Sequence, residues 1–261
     1  MWQVDLGTSF RDDGFAILPD LLAQEEKAEL ARYADDIARW PEAPRRWMQY
    51  FEHNIHTQAR QLCLVENFLP YHDGLEDILN DGRIEAAVSA LLGEPAVLYR
   101  DRLNLKLPGG HGFAPHQDAP SLCEHGPGRL VTALIAVDRC TRDNGCLELM
   151  AEGRGLGLLP HTAPGGAIPD ELVRRMHFRA LTVEPGDVVI FDADIPHRSG
   201  PNCSASPRRA FYLTYTTARA GDHRAAYFRD KRESFPPECE RMPGRDYTEG
   251  ARRYHLAEPV R

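Results

Sequence analysis

The pattern of apolar and polar positions changes character once along the chain. Residues 22–40, LAQEEKAELARYADDIARW, carry Leu30, Tyr33, Ala34, Ile37 and Ala38 at helical spacing with charges between them, so the apolar set shares one helix face. Asp20 stands where a cap could start that helix. Residues 83–92, RIEAAVSALL, repeat the pattern through Ile84, Ala87, Val88 and Leu91, and Gly93 sits where a C-terminal stop belongs. From residue 96 onward the period shortens. AVLYRDRLNLKL, VTALIAV, GCLELM, DVVIFDA and AFYLTYTTA are strand-like runs separated by the turn signals LPGG, RDNG, EPGD and SGPN. In the first run Leu103, Leu105 and Leu107 alternate with Arg102, Asn104 and Lys106, which makes one face apolar and the other strongly polar. That polar face lines a site if it points into a barrel-like fold and merely meets water if it lies outside.

Short antiparallel strands after helical elements predict a mainly β fold with flanking α-helices, arranged as a double-sheet jelly roll. We expect one domain over 1–261. It divides into a helical flank to about residue 95, a jelly-roll core over about 96–220 and a C-terminal extension over 221–261.

Composition narrows the function classes. Apolar residues make up 42% of the chain, enough for a substantial core, and charged residues 27%, near the soluble average. The net charge of −8, with no Lys/Arg-rich block, argues against nucleic-acid binding; Arg45 and Arg46 read as a solvated pair. No run of about eighteen apolar residues is present to span a membrane. The start, MWQVDLGTSFRDDGF, lacks a secretory pattern. The six cysteines form no CxxC pair, so they read as reduced thiols of a cytoplasmic protein. Cys140 and Cys146 flank a turn and are not expected to form a disulfide.

The chemistry is carried by APHQDAP at 114–120. In an extended segment side chains two apart share a side, so His116 and Asp118 can ligate one metal ion while Gln117 turns away or reaches around. His197 follows in FDADIPHRSGPN, just past a predicted strand. Two histidines and one carboxylate make the facial triad of non-haem iron(II) oxygenases, which leaves positions for 2-oxoglutarate and dioxygen. An HxD pair alone is a weak signal; the order HxD, later His, then Arg208 at the start of the next strand makes it strong. A guanidinium at 208 can grip the distal carboxylate of 2-oxoglutarate as a planar fork. Arg209 has the opposite parity and should point away. If His197 is not a ligand, both arginines are ordinary surface groups.

The stretches KLPGGHGFAPHQDAP, DNGCLEL and EPGDVVIFDADIPHRSGPNCSASPRRAFYLTYT resemble the phytanoyl-CoA dioxygenase family of iron(II)/2-oxoglutarate oxygenases. The resemblance implies a double-stranded β-helix (jelly-roll, cupin-like) core and a metal held by His116, Asp118 and His197. It implies 2-oxoglutarate binding by Arg208 and Ser199, with Gln117 near the co-substrate. It also implies a reaction in which 2-oxoglutarate and dioxygen become succinate and carbon dioxide while a substrate C–H bond is hydroxylated. Asp118 favours hydroxylation over halogenation, because family halogenases carry a small residue there. One departure is LMAEGRG at 149–155, where many relatives read PGSH.

The flanks WPEAPRRWMQYFE, LCLVENFLPYHDGL and GDHRAAYFRDKRESFPPE are similar to a branch that hydroxylates small aminoalkylphosphonates. For such a substrate Arg102, Asn104 and Lys106 are the candidate binding residues, and Trp47, Tyr50 or Phe51 could meet an ammonium group. His111 and His125 read as loop histidines, and nothing local demands a role for His223. Asp192 and Asp194 are rival carboxylates; Asp194 is expected to cap the turn into His197. Three other readings stay open: a hydroxylase of a natural-product or acyl intermediate, a non-catalytic jelly-roll binding protein, and a cupin-like isomerase or hydrolase that leaves Arg208 unexplained.

Overall fold

The strand predicted from residue 96, with its alternation over 102–107, becomes a central strand of the larger sheet. The structure is a computed structural model describing residues 6–79, 82–122, 128–151, 153, 155–161 and 166–254. Its strands are β1 (Phe15–Leu18), β2 (Met48–His53), β3 (Arg60–Glu66), β4 (Ala96–Lys106), β5 (Phe113–His116), β6 (Val131–Ala136), β7 (Leu147–Met150), β8 (Phe178–Ala180), β9 (Val188–Asp192), β10 (His197–Ser199) and β11 (Arg208–Thr217). Its helices are α1 (Leu6–Asp13), α2 (Gln24–Ala38), α3 (Asp73–Leu79), α4 (Arg83–Leu92), α5 (Ala119–Leu122), α6 (Asp170–Val173), α7 (Arg224–Ser234) and α8 (Thr248–Tyr254).

Two antiparallel sheets form the core. The larger has the order β1-β9-β6-β11-β4-β3-β2 and the smaller β5-β10-β7-β8. The large sheet is covered on both faces, and strand parity decides which residue goes where. Ala133, Ile135, Leu103, Leu105, Phe211 and Leu213 face the helices and meet Leu30, Ala34, Ile37, Ile84 and Val88. Leu134, Ala136, Ala210 and Tyr212 face the small sheet and meet Leu147, Leu149 and Phe191. Phe211 is fully buried at the first interface, edge-on to Phe68 with ring centroids 5.3 Å apart; its truncation to Ala should cost about 3–5 kcal/mol.

The jelly-roll expectation holds: mainly β and antiparallel, with α2 and α4 packed on one face of the large sheet and α7 and α8 against β2–β4 on the other. Helix α4 ends as its sequence predicts, with Gly93 at φ 77°. Helix α2 starts differently from expectation. Its N-cap is Ala23, whose backbone N–H donates to Glu26 Oε2 at 2.6 Å. Asp20 instead adopts a positive φ of 52° and pairs with Lys27. The segment expected to be a helical flank also contains the hairpin β2–β3, which extends the large sheet through Leu64↔Asn104, Val65↔Leu103 and Glu66↔Arg102. Among the described residues no helix is long and apolar enough to cross a membrane.

Candidate metal centre

Strand β10 lies between β5 and β7, and its register sets His197 directly opposite His116. The two imidazoles are buried with ring centroids 4.2 Å apart. Each is oriented in the same way. His116 Nδ1 lies 2.7 Å from Ala114 O, and His197 Nδ1 lies 2.9 Å from Ile195 O. Donating Nδ1–H to a backbone carbonyl leaves Nε2 of each ring as the lone-pair donor, the usual second partner of a metal-ligating histidine.

Asp118 lies just past β5, in a turn held by the N–H groups of Asp118 and Ala119, both donating to Ala193 O at 3.0 and 3.1 Å. Its Oδ2 is 3.9 Å from His197 Nε2. One donor atom from each of His116, Asp118 and His197 lies within 4.8 Å of the others. Burial first, and then the facing His197, push His116 down to about 3. Burial alone would raise Asp118, but His197, Arg100 and His116 hold it down at about 2. Both groups are therefore in their metal-binding protonation states at neutral pH.

The rival carboxylates are accounted for. Asp192 accepts from Arg129 Nε and Nη2 at 3.0 and 2.8 Å. Asp194 is exposed, and the turn before His197 is held by Asp192, whose backbone O accepts from Ile195 N at 3.0 Å and whose Oδ1 lies 3.4 Å from Asp194 N. The expected capping role therefore falls to Asp192.

The triad opens on a small cavity between the sheets, bordered on the β4 side by Arg100, Arg102 and Asn104 and on the β11 side by Arg208 and Tyr212. Four of its described lining residues are arginines and one, Asp118, is an acid. Arg198 is paired with Glu148 at 2.9 Å, and Arg100 lies 3.9 Å from Asp118. The site as a whole favours anions.

Arg208 is 1% exposed. Its Nη2 donates to Gly145 O at 3.1 Å and its Nη1 lies 3.5 Å from Tyr212 Oη, while its buried Nε has no hydrogen-bond partner. Gly145 has φ 74°, and a Cβ there would stand 2.3 Å from Gly200 O, so only glycine brings this turn against the arginine. Lys106 is the cross-strand partner of Arg208. Its Nζ donates to Ser199 Oγ at 2.7 Å and Gly200 O at 2.6 Å. Burial, and then Arg208 beside it, push the Lys106 ammonium well below the usual lysine value. Arg208 and Ser199 thus line one pole of the cavity, with Lys106 beside them, bonded to Ser199.

Arg102 and Asn104 form another, with Arg102 Nε donating to Asn104 Oδ1 at 2.6 Å and the guanidinium 5.7 Å from the Tyr212 ring. The polar face of β4 is therefore turned inward, but its members divide between two places.

Other expected residues lie elsewhere. Gln117 is fully buried, and its amide donates to Gly157 O and Asp194 O and accepts from Leu159 N; it ties a loop to the ligand turn and does not line the cavity. Arg209 points away, as parity predicts, to Asp138 at 2.8 Å and to Asp35 on α2. Trp47 packs against Trp40 with the rings tilted, Tyr50 donates to Phe235 O, and Phe51 lies under Arg60. The aromatic cavity residues are Phe113 and Tyr212 instead. His111 contacts His53 O, and His223 contacts Ala220 O. His125 lies outside the described residues, as do parts of 149–155. Sequence reading missed Arg100, Arg198, Phe113 and Tyr212, although Arg100 and Tyr212 share the parity of Arg102 and Arg208.

A family model described as phytanoyl-CoA dioxygenase (PhyH) matches residues 10–210. The chain is 39% identical over 254 residues to a 2-aminoethylphosphonate dioxygenase of an uncultured bacterium, HF130_AEPn_1, covering 97% of both chains. It is 37% identical over 225 residues to a methylphosphonate hydroxylase of Gimesia maris, covering 85% of this chain and 84% of that one. Among solved structures, that of EctD from S. alaskensis with 2-oxoglutarate and 5-hydroxyectoine aligns with a TM-score of 0.68 at 22% identity, over 84% of this chain and 80% of that one. That last likeness is one of fold.

Proposed function

The chain belongs to the phytanoyl-CoA dioxygenase family, and from that premise we propose that it is an iron(II)- and 2-oxoglutarate-dependent hydroxylase of a small phosphonate. The observation that carries this reading is the pairing of an oriented His116–Asp118–His197 set with a buried, carboxylate-free Arg208 on the same cavity. A two-histidine, one-carboxylate donor set fits iron(II) and leaves room for further ligands. The unpartnered Arg208 Nε and the Lys106 ammonium fit the distal carboxylate of 2-oxoglutarate, which needs charge-assisted donors in a dry setting.

When bound, iron(II) together with 2-oxoglutarate and dioxygen supplies the oxidising power that hydroxylates a C–H bond, with succinate and carbon dioxide formed from the co-substrate. The protein's own residues do the positioning. His116, Asp118 and His197 hold the metal, with both imidazoles fixed by backbone carbonyls. Arg208, Lys106 and Ser199 grip the co-substrate, so Lys106 serves it and not the substrate. Arg102, aimed by Asn104, meets the phosphonate oxygens, and Phe113 and Tyr212 exclude water.

The relatives named as 2-aminoethylphosphonate dioxygenase and methylphosphonate hydroxylase support the substrate class. The test is substrate-stimulated succinate formation over a panel of 2-aminoethylphosphonate, methylphosphonate, acyl-CoAs and amino acids. We expect stimulation by a phosphonate; stimulation by an acyl-CoA or amino acid alone would refute the substrate class. A binding protein without catalysis would form no succinate, and would show no visible charge-transfer band on anaerobic addition of iron(II) and 2-oxoglutarate.

A further inference from the structure

Helix α7 lies beyond the residues matched by the family model, yet one of its faces reaches the metal carboxylate through buried charges. Arg224, Tyr227 and Lys231 share that face. Arg224 pairs with Asp101 at 2.5 Å, and Tyr227 packs against Tyr99 with ring centroids 5.1 Å apart. Lys231 Nζ lies 2.5 Å from Glu66 Oε2, and the two side chains are 1% and 0% exposed. On the other side of Glu66, Oε1 has no hydrogen-bond partner and stands 4.0 Å from Arg100 Nη1. Arg100 Nη2 in turn stands 3.9 Å from Asp118 Oδ2. The charges alternate from the helix to the metal site: Lys231, Glu66, Arg100, Asp118. Glu66 is also the register partner of Arg102.

A buried ion pair adds little net stability over well-packed apolar residues, because desolvation offsets the attraction. Removing one partner is a different matter, since the remaining charge must find another. For Glu66 the other cations at hand are Arg100 and Arg102, both of which line the cavity. Without Lys231, Glu66 would draw these arginines back from the cavity.

We propose that Lys231 is a positioning residue: by satisfying Glu66 it keeps Arg100 and Arg102 turned towards the cavity, where they meet the anionic head of the substrate. Helix α7 thereby sets the substrate affinity of a cavity whose described lining includes none of its residues. This rests on the phosphonate reading above.

The test uses full-length protein, anaerobically loaded with iron(II) and 2-oxoglutarate, and titrates 2-aminoethylphosphonate and methylphosphonate into wild type, Lys231→Met, Glu66→Gln and the double variant. Lys231→Met should weaken phosphonate binding about tenfold and leave iron(II) and 2-oxoglutarate binding within about twofold. Glu66→Gln alone removes the competing anion but strands the buried Lys231 ammonium, so it should lower thermal stability while keeping phosphonate affinity within about threefold of wild type. The double variant should recover it to within about threefold. A residue that merely stabilised the fold would lower all three affinities together, and the double variant would not recover. Wild-type phosphonate affinity in Lys231→Met, or no recovery in a folded double variant, overturns the proposal.

If wild type binds neither phosphonate, the substrate reading has failed, and the relay is judged on the crystal structure of Lys231→Met alone. There the 4.0 Å gap between Arg100 Nη1 and Glu66 Oε1 should close to hydrogen-bonding distance; an unchanged gap sinks the relay.

Discussion

Arg208 and Lys106 face each other across β11 and β4, both buried, and among the described residues neither forms an ion pair with a carboxylate. Two desolvated cations side by side repel, and a bound dicarboxylate relieves both. The Lys106 ammonium is held well below its usual range by burial and then by Arg208. As pH falls from the unfolded lysine value near 10.5, the unfolded chain takes up its proton before the folded one. The metal-free fold therefore loses stability as pH falls through that window. Gripping a carboxylate requires the charged form, so 2-oxoglutarate binding should take up a proton and weaken as pH rises through the lowered Lys106 range. Titration of the anaerobic charge-transfer band against pH measures this. Lys106→Arg, which stays charged, should flatten the profile.

His197 on β10 is one of the three residues whose donor atoms gather within 4.8 Å of one another. His197→Ala should lower 2-oxoglutarate-dependent succinate formation by more than about 100-fold, beyond the loss typical of a residue that only orients a ligand. Far-UV circular dichroism should stay native. Full activity in this variant would overturn the metal assignment.

Arg102 is set apart from the Arg208, Lys106 and Ser199 group by its bond to Asn104. Arg102→Met should raise the KM for phosphonate about 10–100-fold, the worth of one or two charge-assisted hydrogen bonds, and leave the KM for 2-oxoglutarate nearly unchanged. Steady-state kinetics with each substrate varied in turn separates the two.

Gln117 makes three buried hydrogen bonds to loop backbone. Gln117→Leu leaves those groups unsatisfied and should cost about 1–3 kcal/mol per group stranded. Thermal unfolding would register this. The KM for 2-oxoglutarate should move by less than about threefold, or about 0.7 kcal/mol; a large rise would return Gln117 to the co-substrate site.

The elements best read from sequence were those whose periodicity agrees with their packing. Helix α4 has a clean apolar stripe and a glycine stop, and β4 alternates over 102–106. The hairpin β2–β3 was not legible. MQYFEH and RQLCLVE lack strict alternation, and β3 is held by pairing with β4, a contact distant in sequence. Strand β10 is three residues long, too short for any periodic signal.

Sequence alone determined the kind and order of the metal ligands, because donor chemistry resides in residue type and HxD spacing survives any extended backbone. It also determined that β4 has one polar face. Only the tertiary structure decided what that face does. Register set Lys106 beside Arg208 and Ser199, turned Gln117 into a loop tie, and brought Arg100 from the same face to Asp118. The reason is physical. Strand parity says which side a residue faces, while its partner depends on how sheets and helices distant in sequence come together.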